Sequence, residues 1–343
     1  MIIDNLNIKR QISKWLMFMF CLISLMIIVG GLTRLTDSGL SITKWQLFSG
    51  VIPPFTKSDW IMYFNLYKEI PEFQLQNYDM SLNEFKIIFW WEWAHRILGR
   101  IIGIAFLLPL IYFTIKLNFR KLLNLYFIFF LICFQGFIGW YMVSSGLVDR
   151  VDVSHFRLSI HLIIAFIILS LIYWNYLKLK MPILVNNKLS LALPLILLLL
   201  IYCQIIIGAF VSGMDAGTIY NSWPMMGNSY FPDDNKVSNL LSLTAFSDPS
   251  LVQFIHRNLA YTIILTYMIV FYKIYKNRFI SMYYTINLLG ILLLVQVVLG
   301  ILTLLYGAQI KFASMHQISS IFLVSSCIYL LFINKNTNSQ PLG

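Results

Sequence analysis

The sequence predicts an all-α integral membrane protein in which eight transmembrane helices form two pseudo-symmetric antiparallel four-helix bundles. Three observations lead to this prediction. The 343-residue chain is 59% hydrophobic and only 11% charged, which is far more apolar than a soluble globular domain. It contains eight apolar stretches long enough to cross a bilayer, and motifs of its first half recur in its second half.

Each apolar stretch is close to the length of about 20 residues that a helix needs to span the hydrocarbon core. No segment has the alternating pattern of a half-buried strand. In chain order the stretches cover residues 15–32, 97–115, 122–143, 158–176, 190–211, 254–272, 281–306 and 312–333.

The net charge of +11 comes from Lys and Arg residues that flank the apolar stretches. They form no continuous basic stripe, so we expect no nucleic-acid partner. Basic residues collect in short cytoplasmic loops of membrane proteins, which predicts cytoplasmic termini and outward-facing connections at 33–96 and 212–253. The basic clusters are Lys9, Arg10 and Lys14; Lys116, Arg120 and Lys121; Lys178, Lys180 and Lys188; and Lys273, Lys276 and Arg278.

The first apolar stretch follows basic residues, as a signal peptide does, but no small-residue cleavage pattern accompanies it. We therefore expect a retained anchor in a bacterial inner membrane, surrounded by lipid.

The two halves of the chain, residues 1–180 and 188–335, share motifs in the same order. An even number of membrane crossings precedes each half, so the two halves have the same orientation in the membrane. We therefore expect them to be related by a rotation axis near the membrane normal. Sites between facing helices are expected in such bundles. GGLTRLTDSGL (30–40) aligns with GAFVSGMDAGT (208–218), EWAHRILGR (92–100) with QFIHRNLAY (253–261), QGFIG (135–139) with QVVLG (296–300), and HLIIAF (161–166) with HQISSI (316–321).

Four of the five histidines form one pair in each half, at the outer ends of the even-numbered stretches: His95, His161, His256 and His316. Ionisable residues in transmembrane segments are rare and usually functional, and neutral imidazole is a common axial ligand of heme iron. A single histidine at a membrane edge is more often an interfacial anchor, but the recurrence of the pair favours ligation. The fifth, His155, is expected to be solvated in an outer loop.

Two sets of neighbouring residues support a porphyrin over a bare metal ion. Small residues lie one helical turn from each histidine, where a flat macrocycle needs room, although small residues also serve ordinary helix packing. Arginines next to two of the histidines could bind heme propionates or merely anchor helix ends. The small residues are Gly99, Ala165, Ala260 and Ser320, and the arginines are Arg96 and Arg257, with Arg34, Arg100 and Arg157 as weaker candidates.

The cysteines lie within apolar stretches, so we expect no outer-loop disulfide, and no C-x-x-C-H motif is present. Any heme would therefore be held without thioether bonds. The four are Cys21, Cys133, Cys203 and Cys327.

The two halves differ at one position that bears on chemistry. Glu92 stands one turn before His95, whereas the matching residue before His256 is Gln253. A carboxylate in a largely apolar setting beside a substrate is suited to accept a proton or stabilise charge, the alternative being an interfacial hydrogen-bonding role. This difference predicts that half one alters a substrate while half two holds a permanent redox cofactor.

Several motifs together resemble the heme A synthase family over nearly the whole chain: GGLTRLTDSGLSITKWQLFSGVIPP, EWAHRILGR, GAFVSGMDAGTIYNSWPMMG, QFIHRN and MHQISS. The resemblance implies an eight-span enzyme that oxidises a ring methyl group of heme O to a formyl group by successive hydroxylations. The chain lacks the outer-loop cysteine pair of some members, so it resembles the branch of proteobacteria and mitochondria.

The resemblance also implies roles for particular residues. His256 and His316 would ligate the iron of a resident heme b, with Arg257 beside it. His95 and His161 would ligate the iron of the substrate heme O, with Arg96 beside it. Glu92 would be the catalytic carboxylate.

Two other functions stay open at this point. A non-catalytic b-type cytochrome could pass electrons from quinol through two bis-His hemes, but it needs no carboxylate in one half only. A transporter is expected to carry paired Gly/Pro breaks in mid-membrane, which the stretches lack. The residues identify neither the electron acceptor nor the oxygen source, nor whether the chain forms a homo-oligomer or a complex with the farnesyltransferase that makes heme O.

Overall fold

The computed structural model describes residues 5–44, 49–148, 150–181, 184–185, 189–335 and 337–338. Within these ranges, eight helices are long and apolar enough to cross a membrane, and each contains all or nearly all of one predicted stretch. An all-α multi-pass membrane protein is therefore confirmed. The helices are α1 (Leu6–Leu35), α2 (Lys57–Lys68), α3 (Pro71–Leu75), α4 (Leu82–Lys116), α5 (Leu123–Gly146), α6 (His155–Lys180), α7 (Ala192–Gly213), α8 (Pro249–Lys276), α9 (Tyr283–Leu305) and α10 (Ile310–Lys335); all but α2 and α3 belong to the eight.

Several spanning helices extend beyond the apolar stretches that predicted them, because local capping starts them early. Helix α4 begins at Leu82, well before residue 97. Its first turn is closed by a capping box, in which the Ser81 amide donates to Glu84 Oε2 at 2.8 Å and the Glu84 amide donates to Ser81 Oγ at 3.3 Å. The hydropathy pattern does not include these first turns. Because α4 begins at Leu82, Glu92 and His95 lie inside the helix.

The connection between α1 and α4 contains a small aromatic core that the apolar pattern does not predict. Helices α2 and α3 pack there against the first turns of α4, and Tyr67 and Phe85 are completely buried. This layer covers the end of α4 that carries Glu92.

The spanning helices contact one another as two rings of four. In the first ring α1 packs on α4, α4 on α5, α5 on α6 and α6 on α1; in the second, α7, α8, α9 and α10 pack in the same order. Contacts of α1 with α10 and of α6 with α7 join the two rings. Rotational pseudo-symmetry between the rings, and the division into residues 1–180 and 188–335, stay predictions.

The two halves are joined by polar contacts near the ends of α1 and α7. Two residues beyond the last residue of each helix lies an aspartate of left-handed backbone conformation, Asp37 (φ 47°) after α1 and Asp215 (φ 49°) after α7, at matching positions of the repeat. Arg34 forms ion pairs with both of them. At the other end of the bundle, Leu184–Val185 and Thr337–Asn338 pair as two-residue parallel strands, β1 and β2, the only strands among the described residues.

Candidate functional site

The structure brings the four predicted histidines together as two pairs. The ring centroids of His95 and His161 are 6.4 Å apart, and those of His256 and His316 are 6.5 Å apart. Two metal–nitrogen bonds of about 2.0–2.1 Å, plus about 1.1 Å from each nitrogen to its ring centre, require about 6.3 Å. Either pair is therefore spaced to hold one metal ion between two imidazoles.

Each histidine ring lies against a glycine of the preceding helix. A Cβ atom at any of these glycines would lie only 3.0–3.1 Å from a ring atom, closer than a side chain normally approaches, so glycine is what lets the ring pack there. The pairs are Gly30 with His95, Gly139 with His161, Gly208 with His256, and Gly300 with His316.

These glycines are not among the predicted site residues, although the repeat contains a signal for them. Gly30 aligns with Gly208 as the first residue of one motif, and Gly139 aligns with Gly300 as the last residue of another. The recurrence of a glycine at both places, at the depth of a histidine on the facing helix, was available from the alignment. The expectation that the small residues one turn after each histidine make room for a macrocycle stays a prediction.

Glutamines bind the backbone of three of the histidines. Gln135 Nε2 donates to the His161 carbonyl at 2.8 Å, Gln204 Nε2 to the His256 carbonyl at 3.0 Å, and Gln296 Nε2 to the His316 carbonyl at 3.1 Å. These bonds tie each histidine-bearing helix to the helix before it at the level of the ligand.

The imidazole nitrogens fit a metal-binding role. His316 Nδ1 lies 3.0 Å from the Gln296 carbonyl oxygen, so Nδ1 carries the hydrogen and Nε2 has the lone pair that could bind a metal, with Gln296 Nε2 lying 3.3 Å from it. The Nδ1 atoms of His161 and His256 are buried and have no hydrogen-bond partner among the described residues. Buried polar atoms without a hydrogen-bond partner are rare in folded proteins, and a bound ligand is one explanation for them.

Glu92 is buried, 2% exposed, and both of its oxygens are engaged. Oε2 accepts hydrogen bonds from Ser41 Oγ and the Ile42 amide, each at 2.7 Å. Oε1 accepts from Arg96 Nε at 3.0 Å and Nη2 at 2.5 Å. Glu92 is buried, as expected, but the setting of its two oxygens is polar, because they face four donors, two of them on a guanidinium.

The matching site in half two retains the arginine but changes the acid and its donor. Gln253 Nε2 and Arg257 Nη2 both donate to the Tyr220 carbonyl, each at 3.1 Å, whereas Arg96 Nη2 donates to the Ile42 carbonyl at 2.8 Å. Ile42 and Tyr220 occupy the same place in the repeat. The residue matching Ser41 is Ile219, so half two lacks both the carboxylate and the hydroxyl that binds it.

The arginines proposed as propionate partners have protein partners in the structure. Arg96 binds Glu92, and Arg257 binds the Ser222 and Tyr220 carbonyls. Arg34 joins the two halves through Asp37 and Asp215, and the Arg157 guanidinium lies over the Tyr141 ring at 4.7 Å. The binding of propionates by Arg96 and Arg257 stays a prediction.

Two smaller expectations have clear outcomes. His155 is not solvated in a loop, because it is the first residue of α6 and packs on Phe210, with ring centroids 5.4 Å apart and its Nε2 buried. The four cysteines are free and lie in spanning helices, as predicted.

Comparison with known proteins places the chain in a family. Residues 13–328 match the COX15-CtaA family, described as cytochrome oxidase assembly protein. A protein named heme A synthase from Pelagibacter ubique (strain HTCC1062) is 48% identical over 98% of this chain and 100% of its own length. Proteins of the same name from Rickettsia bellii (strain RML369-C) and Rickettsia prowazekii (strain Madrid E) are 43% and 40% identical over 96% of this chain and 100% and 99% of their own lengths. The chain therefore belongs to the COX15-CtaA family of cytochrome oxidase assembly proteins.

Proposed function

We propose that this chain is a membrane-bound oxidoreductase of heme A synthesis that oxidises the ring methyl group of heme O to a formyl group. The observation that carries the proposal is the agreement between near-full-length similarity to proteins named heme A synthase and a site with two histidine pairs. One pair adjoins a buried carboxylate, and the other adjoins an amide at the matching position.

We assign the resident cofactor, a heme b, to half two. His256 and His316 would hold its iron, which supplies the one-electron redox change that the side chains cannot perform. Three observations support the assignment: the ring spacing of 6.5 Å, the glycine behind each ring, and the Gln296 carbonyl that directs His316 Nε2 towards the metal. Arg257 lies next to His256, at the end of α8 where propionates would be bound.

We assign the substrate, heme O, to half one. His95 and His161 would bind its iron, and Arg96 would lie beside it. Glu92 is the proton-accepting group in this proposal, because Ser41 Oγ both donates to Glu92 Oε2 and, as a hydroxyl, can accept a hydrogen in turn. The Arg96 guanidinium holds the charge of the carboxylate and fixes its direction.

The proposed membrane orientation has cytoplasmic termini and both histidine pairs towards the outer face of a bacterial inner membrane. It is supported by the basic residues in the short connections and by the layer of α2 and α3 over the start of α4. The farnesyltransferase that makes heme O is a proposed partner, because it supplies the substrate.

The proposal is tested by expressing the chain with heme O synthase in a bacterium that makes no heme A. Membrane hemes are extracted and separated by chromatography and mass. Heme A in these membranes, and its absence when the chain is omitted, is the expected result. Accumulation of heme O without heme A, in membranes that contain the folded red protein, would instead identify an electron-carrying b-type cytochrome.

A further inference from the structure

The glutamines that bind histidine carbonyls follow a pattern with one exception. At His161, His256 and His316, a glutamine from the preceding spanning helix donates its amide hydrogen to the carbonyl of the histidine itself. A side-chain amide bonded to the backbone of the facing helix restrains both sliding and rotation at that level. Three of the four ligand-bearing turns are therefore held in register.

His95 is the exception, and the repeat identifies the residue responsible. The alignment that pairs Gly30 with Gly208 pairs Met26 with Gln204. Methionine has no hydrogen-bond donor, and the Met26 methyl group lies 3.4 Å from the position of a Cβ at Gly99, one turn from His95. Among the described residues, no side chain of α1 donates to the His95 carbonyl.

The remaining bonds between α1 and α4 lie away from the ligand. Trp15 Nε1 donates to the Ala105 carbonyl at 3.0 Å, nearly three turns beyond His95, and the longer contact of Thr33 Oγ1 with the Trp91 carbonyl, at 3.4 Å, lies one turn before it. Between α1 and α4, the turn that bears His95 is thus held by apolar packing, which tolerates small shifts better than a directional bond does, although Glu92 and Arg96 on the same helix bind residues 41 and 42 of the connection.

The two halves also differ in how their imidazole rings are held. In half two, His316 Nδ1 is bound to the Gln296 carbonyl, and Gln204 Nε2 lies 3.2 Å from His256 Nε2 and 3.0 Å from the His256 carbonyl oxygen. The Nδ1 atoms of His161 in half one and of His256 in half two have no partner among the described residues, so the difference in Nδ1 partners lies at His316. A partner on the other ring nitrogen orients a metal-binding histidine. Removing such a partner typically lowers the affinity for the metal by about 10–100-fold.

We propose that Met26, standing where the other three positions have glutamine, makes His95 the labile iron ligand of half one. The inference rests on the proposed function, in which half one must take in one heme and release another, while half two keeps its own. The three glutamines hold the ligands that stay, and Met26 is a positioning residue that lets α4 move at His95. Exchange is thereby confined to one half of a duplicated site.

The test uses the full-length protein, purified with its hemes from the host that makes heme O. Excess apomyoglobin serves as the heme acceptor, and the hemes that reach it are identified by mass. Heme O and heme A report on half one, and heme b reports on half two. Met26→Gln introduces the missing amide, Met26→Leu is the matched apolar control, and Gln204→Met removes the amide from half two.

We expect Met26→Gln to slow the transfer of heme O and heme A by several-fold, up to about tenfold, which is the effect of one added hydrogen bond, with heme b transfer unchanged. Met26→Leu should transfer them at the wild-type rate, and Gln204→Met should speed the transfer of heme b by a similar factor. Equal rates for Met26→Gln and Met26→Leu would overturn the inference. Should Met26→Gln fail to insert, an unchanged heme b rate in Gln204→Met would overturn it.

The outcomes also separate this inference from the proposed function. A wild-type protein that makes heme A but shows no effect of Met26→Gln leaves the function standing and removes the role of Met26. A wild-type protein that retains heme b yet never contains heme O or heme A contradicts the function itself.

Discussion

Replacing Glu92 with glutamine is the most informative single change in this chain, because half two carries that amide at the matching position. The carboxylate accepts four hydrogen bonds, two per oxygen. Glutamine has one oxygen and one NH2 group. If its oxygen faces Arg96, its nitrogen faces the Ile42 amide, and a buried donor loses its acceptor; if it is turned around, Arg96 loses both bonds.

The expected effects on stability and on rate are of similar size and must be measured separately. Leaving a buried donor unpaired costs about 1–3 kcal/mol. Removing a positioned proton acceptor typically lowers a rate by about 10²-fold or more, which corresponds to about 2.7 kcal/mol of activation free energy. Heme A formed per folded protein, with folded protein counted by its heme b, separates the two effects.

Gln253→Glu is the matched control, and Ser41→Ala tests the hydroxyl that binds the carboxylate. Ser41→Ala removes one of the four donors and the hydroxyl beside Glu92 Oε2, so it should lower both the melting temperature and heme A formation while the carboxylate stays in place. Gln253→Glu adds a carboxylate beside Arg257 in half two and should leave heme A formation largely intact in the protein that folds. Heme A formation by Glu92→Gln at close to the wild-type rate would refute the catalytic role and leave Glu92 as a structural anchor for Arg96 and the 41–42 backbone.

Four further predictions follow from the site and its surroundings. His256→Ala or His316→Ala should each abolish the low-spin b-type absorption spectrum of the purified protein, and an unchanged spectrum in both would remove the resident heme from half two. Gly208→Ala puts a Cβ 3.1 Å from His256 Cε1 and should reduce the heme b content of the purified protein, whereas Gly30→Ala, its match in half one, should reduce heme O content and leave heme b in place. A cysteine introduced at Asn228 should react with a membrane-impermeant thiol reagent added outside intact cells, and one at Lys178 should not; the reverse labelling would invert the topology. Burial, followed by the charge of Asp152, raises the pKa of Glu72 to about 8, so between about pH 5 and pH 8 the folded protein holds a proton that the unfolded chain has lost. The melting temperature should therefore fall as pH rises from about 5 to 8 and level off above that. Glu72→Gln should flatten this dependence.

The sequence predicts the membrane architecture well because one physical requirement dominates it. A helix in lipid must be apolar over a fixed length, so composition alone locates all eight spans, and the few polar residues within them are conspicuous. His95 with His161, and His256 with His316, pair as the repeat predicted. The starts of α4 and α8 are harder to predict, because they depend on single capping residues such as Ser81 and Asp248.

The features that the sequence does not predict depend on contacts between residues that are far apart in the chain. The four donors to Glu92 come partly from residues 41 and 42, about fifty positions earlier, and only the folded connection between α1 and α4 brings them to α4. The charged residues before His155 predict a solvated loop, but α6 begins at His155 and its ring packs against Phe210 of α7.

Comparison within the chain is more informative than either half alone, because the two halves share a scaffold and differ at few places. Gly30 and Gly208, and likewise Arg96 and Arg257, make the same kind of contact in each half, so they reflect what any such histidine pair requires. The acid and the hydroxyl that binds it occur together in half one, as Glu92 and Ser41. Half two has neither group, because Gln253 and Ile219 occupy the matching positions. Met26 and Gln204 differ independently of that pair of positions, on another helix. Two separate substitutions in the same half therefore bear on reaction and exchange, and a duplicated structural site would need neither.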